Sequence, residues 1–296
     1  MFTVVGSGFG LYGYVPAILH AFGEPVILPL AYRPKMEGRE DLRGYVERIE
    51  WVADSHAALA EATGVVLATI PAEQPALVAR CCAAARIERI VVEKPVAITP
   101  AQADDVLARL AASGKRYRIG YTLLHAAWTD RLPWPHERAV SIEWTFMAHH
   151  FARDLANWKR DASQGGGVIR FFGVHLLALL ARRGYDEVAR SVVAGDRSGE
   201  PDRWEAEFRG PGLAPARVRM DSRSAVERFS IAFDGAPAAV ALREPFQLES
   251  PAPPDDRRVP VLERLLATFD RDDALFVELY AATNRLWRRV EEAGAR

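Results

Sequence analysis

Residues 3–13 read Thr3-Val4-Val5-Gly6-Ser7-Gly8-Phe9-Gly10-Leu11-Tyr12-Gly13, and this stretch decides the fold. An apolar run ends in a glycine-rich turn, and a helical stretch follows at 11–22 with Pro16 near its start. Strand, glycine turn and helix in that order place backbone N–H groups and a helix N-terminus where they can hold a phosphate. Gly6 permits the tight turn, and Gly8 lets the backbone approach a dinucleotide's pyrophosphate. The third position of the G-x-G-x-x-G pattern falls on Leu11, with Gly10 and Gly13 to either side. A tight turn without a ligand would use the same glycines, so placement directly after the first strand carries the reading.

Outward from the turn, short runs that are apolar on both faces alternate with helical stretches. Strands are expected at 2–5, 26–32, 49–52, 64–70, 89–92 and 116–121. Helices are expected after a cap at Asp54, at about 73–85, and from 100 to about 113, where Thr99-Pro100-Ala101-Gln102 reads as a capping box. This alternation predicts an α/β fold, with a doubly wound parallel sheet of Rossmann type over residues 1–121. From 122 to 296 the pattern changes. Ser141–Phe146 alternates like a strand with one wet face, and a helix at about 166–182 is apolar nearly all round. Further strands are expected at 188–194, 203–209, 215–221, 226–233 and 238–243, then a loop at 250–258 and two helices over 260–293 meeting near Asp270. These features predict an α+β domain for substrate binding and oligomerisation, with a mainly antiparallel open sheet. Its closing helices could pack back on the first domain.

The chain has 296 residues and a net charge of −1, so no basic field points to nucleic acid or an anionic membrane surface. No apolar run approaches the ~18 residues of a membrane helix. The first strand begins at once, leaving no room for a signal peptide, and the only cysteines are the neighbours Cys81 and Cys82. A reducing cytoplasm is the expected location. The open face of an antiparallel sheet needs cover if it is apolar, so a homodimer or homotetramer through that sheet is expected.

The second informative stretch is Val91-Val92-Glu93-Lys94-Pro95. Ligands of an open parallel sheet sit beyond the carboxyl ends of its strands, so Lys94 and the glycine turn face one crevice. Lysine is rare here, occurring only at 35, 94, 115 and 159, which makes Lys94 more telling. Ile70 and Pro71 end another strand and are expected beside the cofactor. The end of the second strand reads Ala31-Tyr32-Arg33-Pro34-Lys35, with no carboxylate until Glu37. A carboxylate there would suit the ribose of NAD(H); Arg33 instead suits a 2′-phosphate, so NADP(H) is favoured and NAD(H) stays possible. His149-His150 is no metal pair, because adjacent strand residues point to opposite faces, and no metal is expected. Trp158-Lys159-Arg160-Asp161 reads equally well as a flap over a substrate or as a solvated loop.

Together these residues resemble the glucose–fructose oxidoreductase / inositol dehydrogenase / rhizopine-catabolism (Gfo/Idh/MocA) family. The matching segments are Gly6–Gly10 with Pro16-Ala17-Ile18, Glu93-Lys94-Pro95, and Trp158 with Gly165-Gly166-Gly167-Val168 and Gly173-Val174-His175. The resemblance implies a nicotinamide-dependent oxidoreductase acting on sugars, cyclitols or nucleotide sugars. It implies that Lys94 lies near the nicotinamide and orients the substrate, with Glu93 and Pro95 positioning it, and that His175 exchanges a proton with the substrate oxygen. Trp158 and Lys159 are candidate substrate contacts. The family usually carries an aspartate four residues before this histidine; here it is Phe171. Tyr121, His125, His149, His150 or Asp154 could stand in for the lost group, and Tyr121 is taken as the third catalytic candidate. Loss of a base fits a reductase that needs chiefly a proton donor, acting on a carbonyl or an imine. It also fits a non-catalytic regulator that binds dinucleotide and sugar, and a glycosidase using NAD transiently remains a third option.

Overall fold

The computed structural model describes residues 1–195, 197 and 199–294. The chain divides into two compact units, one of residues 1–96, 105–125 and 249–277, the other of 97–104, 126–248 and 278–296.

The first unit contains six parallel strands: β1 (Phe2–Val5), β2 (Val26–Pro29), β3 (Ile49–Val52), β4 (Gly64–Leu67), β5 (Arg89–Val92) and β6 (Arg116–Ile119). Their spatial order is β3-β2-β1-β4-β5-β6, with Val4 beside Val66 and Val66 beside Val91. Strand order therefore reverses at the β1–β4 pair, the place where a doubly wound sheet opens a crevice. The helix Val15–Phe22 buries Val15, Ala17, Ile18 and Leu19 in one core with Val4, Leu28 and Val66. Helix Val259–Ala267 adds Leu262, Leu265 and Leu266 to that core. Each such side chain contributes about 1.5–3 kcal/mol when fully buried.

The stretch 249–277 is also fixed by polar bonds. Arg118 on β6 is wholly buried, yet its Nε donates to Thr268 Oγ1 (2.8 Å), its Nη2 to the Thr268 carbonyl (2.6 Å) and its Nη1 to Asp273 Oδ1 (2.5 Å). The guanidinium lies over the rings of Phe269 (5.0 Å) and Phe276 (3.9 Å). Five donors on a planar fork allow full pairing in an apolar setting.

Several boundaries differ from expectation. β2 stops at Pro29, and residues 30–32 turn into a short helix Arg33–Glu37. Pro29 cannot extend a hydrogen-bonded ladder through an N–H, and Pro34 sits in the first helical turn, where its fixed φ is welcome. The expected helix at 166–182 begins later, because Gly165 and Gly167 adopt φ of +86° and +84°. A wide π-turn at Val168–Gly173 then leads into helix Val174–Arg182.

The second unit is a mixed, mostly antiparallel sheet of β7 (Val140–Met147), β8 (Glu187–Ala194), β9 (Arg203–Gly210), β10 (Leu213–Asp221), β11 (Arg223–Phe233) and β12 (Val240–Leu242). The order is β12-β11-β7-β10-β9-β8, and only β7 and β10 pair in parallel. One face is apolar: Ile142, Trp144, Trp204, Phe208, Val218, Phe229 and Ile231 are buried. The other face is charged rather than apolar, which corrects the reason given above for covering it. Arg217 approaches Glu207 (3.5 Å), and Arg219 and Arg228 approach Glu143 (3.7 and 3.5 Å). Strand alternation puts these residues on one side and the rings on the other. Among the described residues, no helix is long and apolar enough to cross a membrane.

Candidate active site

The glycine turn is shaped by crowding. Gly6 holds φ +126°, and a side chain there would run into the carbonyl of Ala68, at the end of β4. Gly10 presses on Val4, whose Cγ1 would lie 2.8 Å from an added Cβ. Gly8 differs, because a Cβ there would meet nothing within 4 Å. The turn therefore leaves its open side at the glycine that must admit a pyrophosphate, and this cradle fits a dinucleotide.

Lys35 Nζ donates to Ser7 Oγ at 2.6 Å, and the Gly6 N–H donates to the Tyr32 hydroxyl at 3.2 Å. Arg33, expected on a 2′-phosphate, instead donates to Glu37 Oε1 (2.7 Å) and lies 5.9 Å over the Trp51 ring. The short helix after β2 presents residue 35, not 33, to the turn. Ile70 is exposed and Pro71 buried in the turn that follows β4, whose geometry is fixed by the Glu73 N–H on the Ile70 carbonyl (3.0 Å).

At the end of β5, Glu93 is buried and Lys94 half-buried, and the Lys94–Pro95 peptide is cis. The Tyr14 hydroxyl donates to Glu93 Oε1 at 2.6 Å. Burial pushes the Glu93 carboxyl up from its ordinary value, while Lys94, the Tyr14 bond and Arg258 pull against that rise. Gly120, after β6, leaves room for this carboxylate: an added Cβ would collide with Glu93 and reach 3.0 Å from the Tyr14 hydroxyl. Tyr121 follows it and is buried. His125 ends the turn Thr122–His125, and its carbonyl accepts from Arg264 Nε at 2.6 Å.

In the second unit, His175 occupies the first turn of helix Val174–Arg182 and is buried. Phe171 lies one turn earlier and is half-buried, with Trp158 edge-on at 5.3 Å and Lys159 Nζ 5.3 Å over its face. The 158–161 loop is rigidly tied. Gly167 N–H donates to the Lys159 carbonyl (2.8 Å), and buried Arg160 pairs with Asp154 (2.9 Å) and Glu200 (2.7 Å). His149 is exposed. His150 is buried among Phe151, Phe171 and Phe172; burial, then Lys159 and Arg160, push its imidazole down to about 4. It is thus neutral near pH 7 and a poor proton donor. Asp154 is engaged by Arg160, which also holds its carboxyl below the ordinary value.

Sequence reading missed Lys35 on Ser7, Tyr14 on Glu93 and the part played by Gly120. Tyr14 stands at the end of the π-turn Gly10–Tyr14, but its reach to residue 93 is visible only once β1, β4 and β5 lie side by side.

Residues 1–121 match the model of an oxidoreductase family with an NAD-binding Rossmann fold, the Gfo/Idh/MocA family. No curated protein sequence matches the chain. Among solved structures, it resembles the WlbA dehydrogenase from Bordetella pertussis in complex with NADH and UDP-GlcNAcA. That likeness has 16% identity and a TM-score of 0.74, covering 98% of this chain and 96% of that one. KijD10, a 3-ketoreductase from Actinomadura kijaniata in complex with NADP and TDP-benzene, is 14% identical with a TM-score of 0.68, covering 99% and 97%. The super-repressor mutant of Gal80p from Saccharomyces cerevisiae is 11% identical with a TM-score of 0.71, covering 99% and 95%. At such identities the likeness is one of fold. Residues 1–121, which hold the glycine turn and Glu93-Lys94-Pro95, thus match an oxidoreductase family with an NAD-binding Rossmann fold.

Proposed function

We propose that this chain reduces a carbonyl of a sugar, nucleotide sugar or similar polar metabolite, with NADP(H) as the favoured cofactor. The observation that carries this reading is the bond from Tyr14, on the glycine-turn segment, to the carboxylate beside Lys94. It joins the phosphate cradle and the lysine in one rigid piece. The cofactor, when bound, supplies the hydride. Lys94 binds the substrate oxygen and stabilises the negative charge that grows on it. His175 gives that oxygen a proton, and Tyr121 is a further donor. Trp158 and Lys159 hold the substrate. Phe171 offers His175 no carboxylate, and reduction needs a proton donor more than a base. Sugar-nucleotide and ketoreductase relatives of the same fold, WlbA and KijD10, support this substrate class.

The preference for NADP(H) rests on the missing carboxylate after β2 and on Lys35, already at Ser7. Lys35 supplies the first cation for a 2′-phosphate, and Arg33 a second once it leaves Glu37. We place a second copy of the chain on the charged face of the β7–β12 sheet, the Arg and Glu columns of each copy meeting those of the other.

Titration of the seven tryptophans' fluorescence with NADPH and NADH tests the cofactor. Tighter NADPH binding, weakened by Lys35→Ala, is expected; preference for NADH removes the clamp. Reduction of a keto-sugar panel, followed by loss of NADPH absorbance, tests the reaction. A second reading, a dinucleotide- and sugar-binding regulator, is favoured by Phe171 and by the Gal80p fold. Dinucleotide binding without turnover on any carbonyl or imine substrate would select it.

A further inference from the structure

Arg258 lies in the loop just before helix Val259–Ala267, far from Lys94 in sequence. Its guanidinium sits 4.3 Å over the ring of Phe9, the residue between Gly8 and Gly10. Nε and Nη2 clasp the Asp256 carboxylate at 2.8 and 3.0 Å, and Nη2 also donates to the Tyr12 hydroxyl at 3.4 Å. Phe9 meets the Tyr14 ring edge-on at 5.6 Å, and Tyr14 donates to Glu93. One line of contacts within the first unit thus runs from Asp256 and Arg258, through Phe9 and Tyr14, to the carboxylate beside Lys94.

We propose that Arg258 is a positioning residue for Lys94, acting through Phe9, Tyr14 and Glu93. The proposal rests on the reading of Lys94 as the group that binds the substrate oxygen. Two parts of the geometry support it. The stacked guanidinium fixes the Phe9 ring, and with it Tyr14 against Glu93. Its charge also reaches the carboxylate. Glu93 is faced by Tyr14 from the turn, by Lys94 on its own segment, by Arg258 from the loop, and by the Gly120 backbone. Burial favours a neutral Glu93, and Arg258 is one of two cations opposing it. An ionised Glu93 attracts the Lys94 ammonium; a protonated one removes that attraction and makes the pair more positive. Added positive charge there disfavours the oxidised nicotinamide, which is itself positively charged, more than the reduced one.

The test compares the unmutated protein with Arg258→Met, Arg258→Lys and Glu93→Gln. Kd values for NADPH and NADP⁺ are read by tryptophan fluorescence from pH 5 to pH 9, with a melting temperature for each variant. The expected result is that the ratio of the two Kd values changes with pH, and that Arg258→Met moves this transition upward by about one pH unit. Arg258→Lys restores most of the original profile, and Glu93→Gln removes the transition. If Arg258→Met fails to fold, Arg258→Gln, which keeps hydrogen-bonding capacity towards Tyr12, takes its place. Variants at 258 that keep the original pH profile and affinity ratio while melting lower would overturn the proposal and leave Arg258 as a structural tie. If the unmutated protein binds neither dinucleotide, the cofactor reading itself falls, and this proposal with it.

Discussion

The glycine turn at 6–13 and the glycine-rich stretch leading to His175 both press a glycine against a backbone carbonyl, Gly6 on Ala68 and Gly166 on Trp158, but they differ in what they present to a ligand. In the first, backbone meets backbone: Gly6 against the Ala68 carbonyl leaves one residue type possible. In the second, glycines bring a loop down, and what that loop offers is rings and a cation, Trp158 and Lys159 around Phe171. A site written in backbone sterics permits few alternatives and serves one ligand class. A site written in side chains can be rewritten one residue at a time, so its ligand varies among proteins of one fold.

The largest expected effect separates chemistry from scaffold. Lys94→Ala should lower kcat about 10²–10³-fold, with the melting temperature nearly unchanged. Equal activity in the variant would detach Lys94 from the reaction.

The turn itself can be split in two. Gly6→Ala should destabilise the fold by about 1–3 kcal/mol, because φ +126° is strained for any side chain. Gly8→Ala, facing open space, should melt normally yet bind NADPH about tenfold more weakly, a loss near 1.4 kcal/mol. If Gly8→Ala binds as tightly as the unmutated protein, the open side of the turn does not hold the pyrophosphate.

The aromatic half is probed by Phe171→Asp. Restoring a carboxylate one helical turn before His175 should raise alcohol oxidation relative to carbonyl reduction, by several-fold, through a stronger base. An unchanged ratio of forward to reverse rates would show that position 171 does not act on His175.

One further effect is on stability and is confined to acid pH. His150 stays neutral in the fold down to about pH 4, whereas an unfolded histidine takes its proton near pH 6.5. Its folded value is depressed, so its contribution is intact above about pH 6.5 and shrinks as pH falls from there towards 4. Urea melts at pH 7.5 and pH 5 should show that loss, and His150→Phe should flatten it.

Much of the first unit was legible because its signals are local. Arg89–Val92 is apolar after its first residue, Ile49–Val52 is apolar but for Glu50, and both strands lie where expected. Asp54 caps its helix as read, accepting from the N–H groups of His56 and Ala57. The expected β2 runs three residues past Pro29, because Leu30-Ala31-Tyr32 is strand-like in composition and only the folded chain shows it turning. At the site, Gly6, Gly8 and Lys94 announced themselves by motif. Arg258 did not: it sits in a stretch that reads as plain loop, and its meaning depends on Phe9, brought near by folding. Residue type points to Arg33 after β2, whereas the helical turn that aims Lys35 at Ser7 shows only in the folded chain.

The buried Arg118 bears on how such a protein can be inherited in pieces. The stretch recognisable as dinucleotide-binding ends at residue 121, but three of the groups that pair with Arg118 come from Thr268 and Asp273. A gene fragment stopping after residue 121 would encode all six parallel strands but lose both those partners and the core side chains Leu262, Leu265, Leu266 and Phe269, at a cost of about 6–12 kcal/mol. That is a large share of the 5–15 kcal/mol that holds a domain together. Recombination that moves this cofactor-binding piece between genes must therefore carry two separated stretches of coding sequence, and expression of residues 1–121 alone should give a chain that unfolds or aggregates.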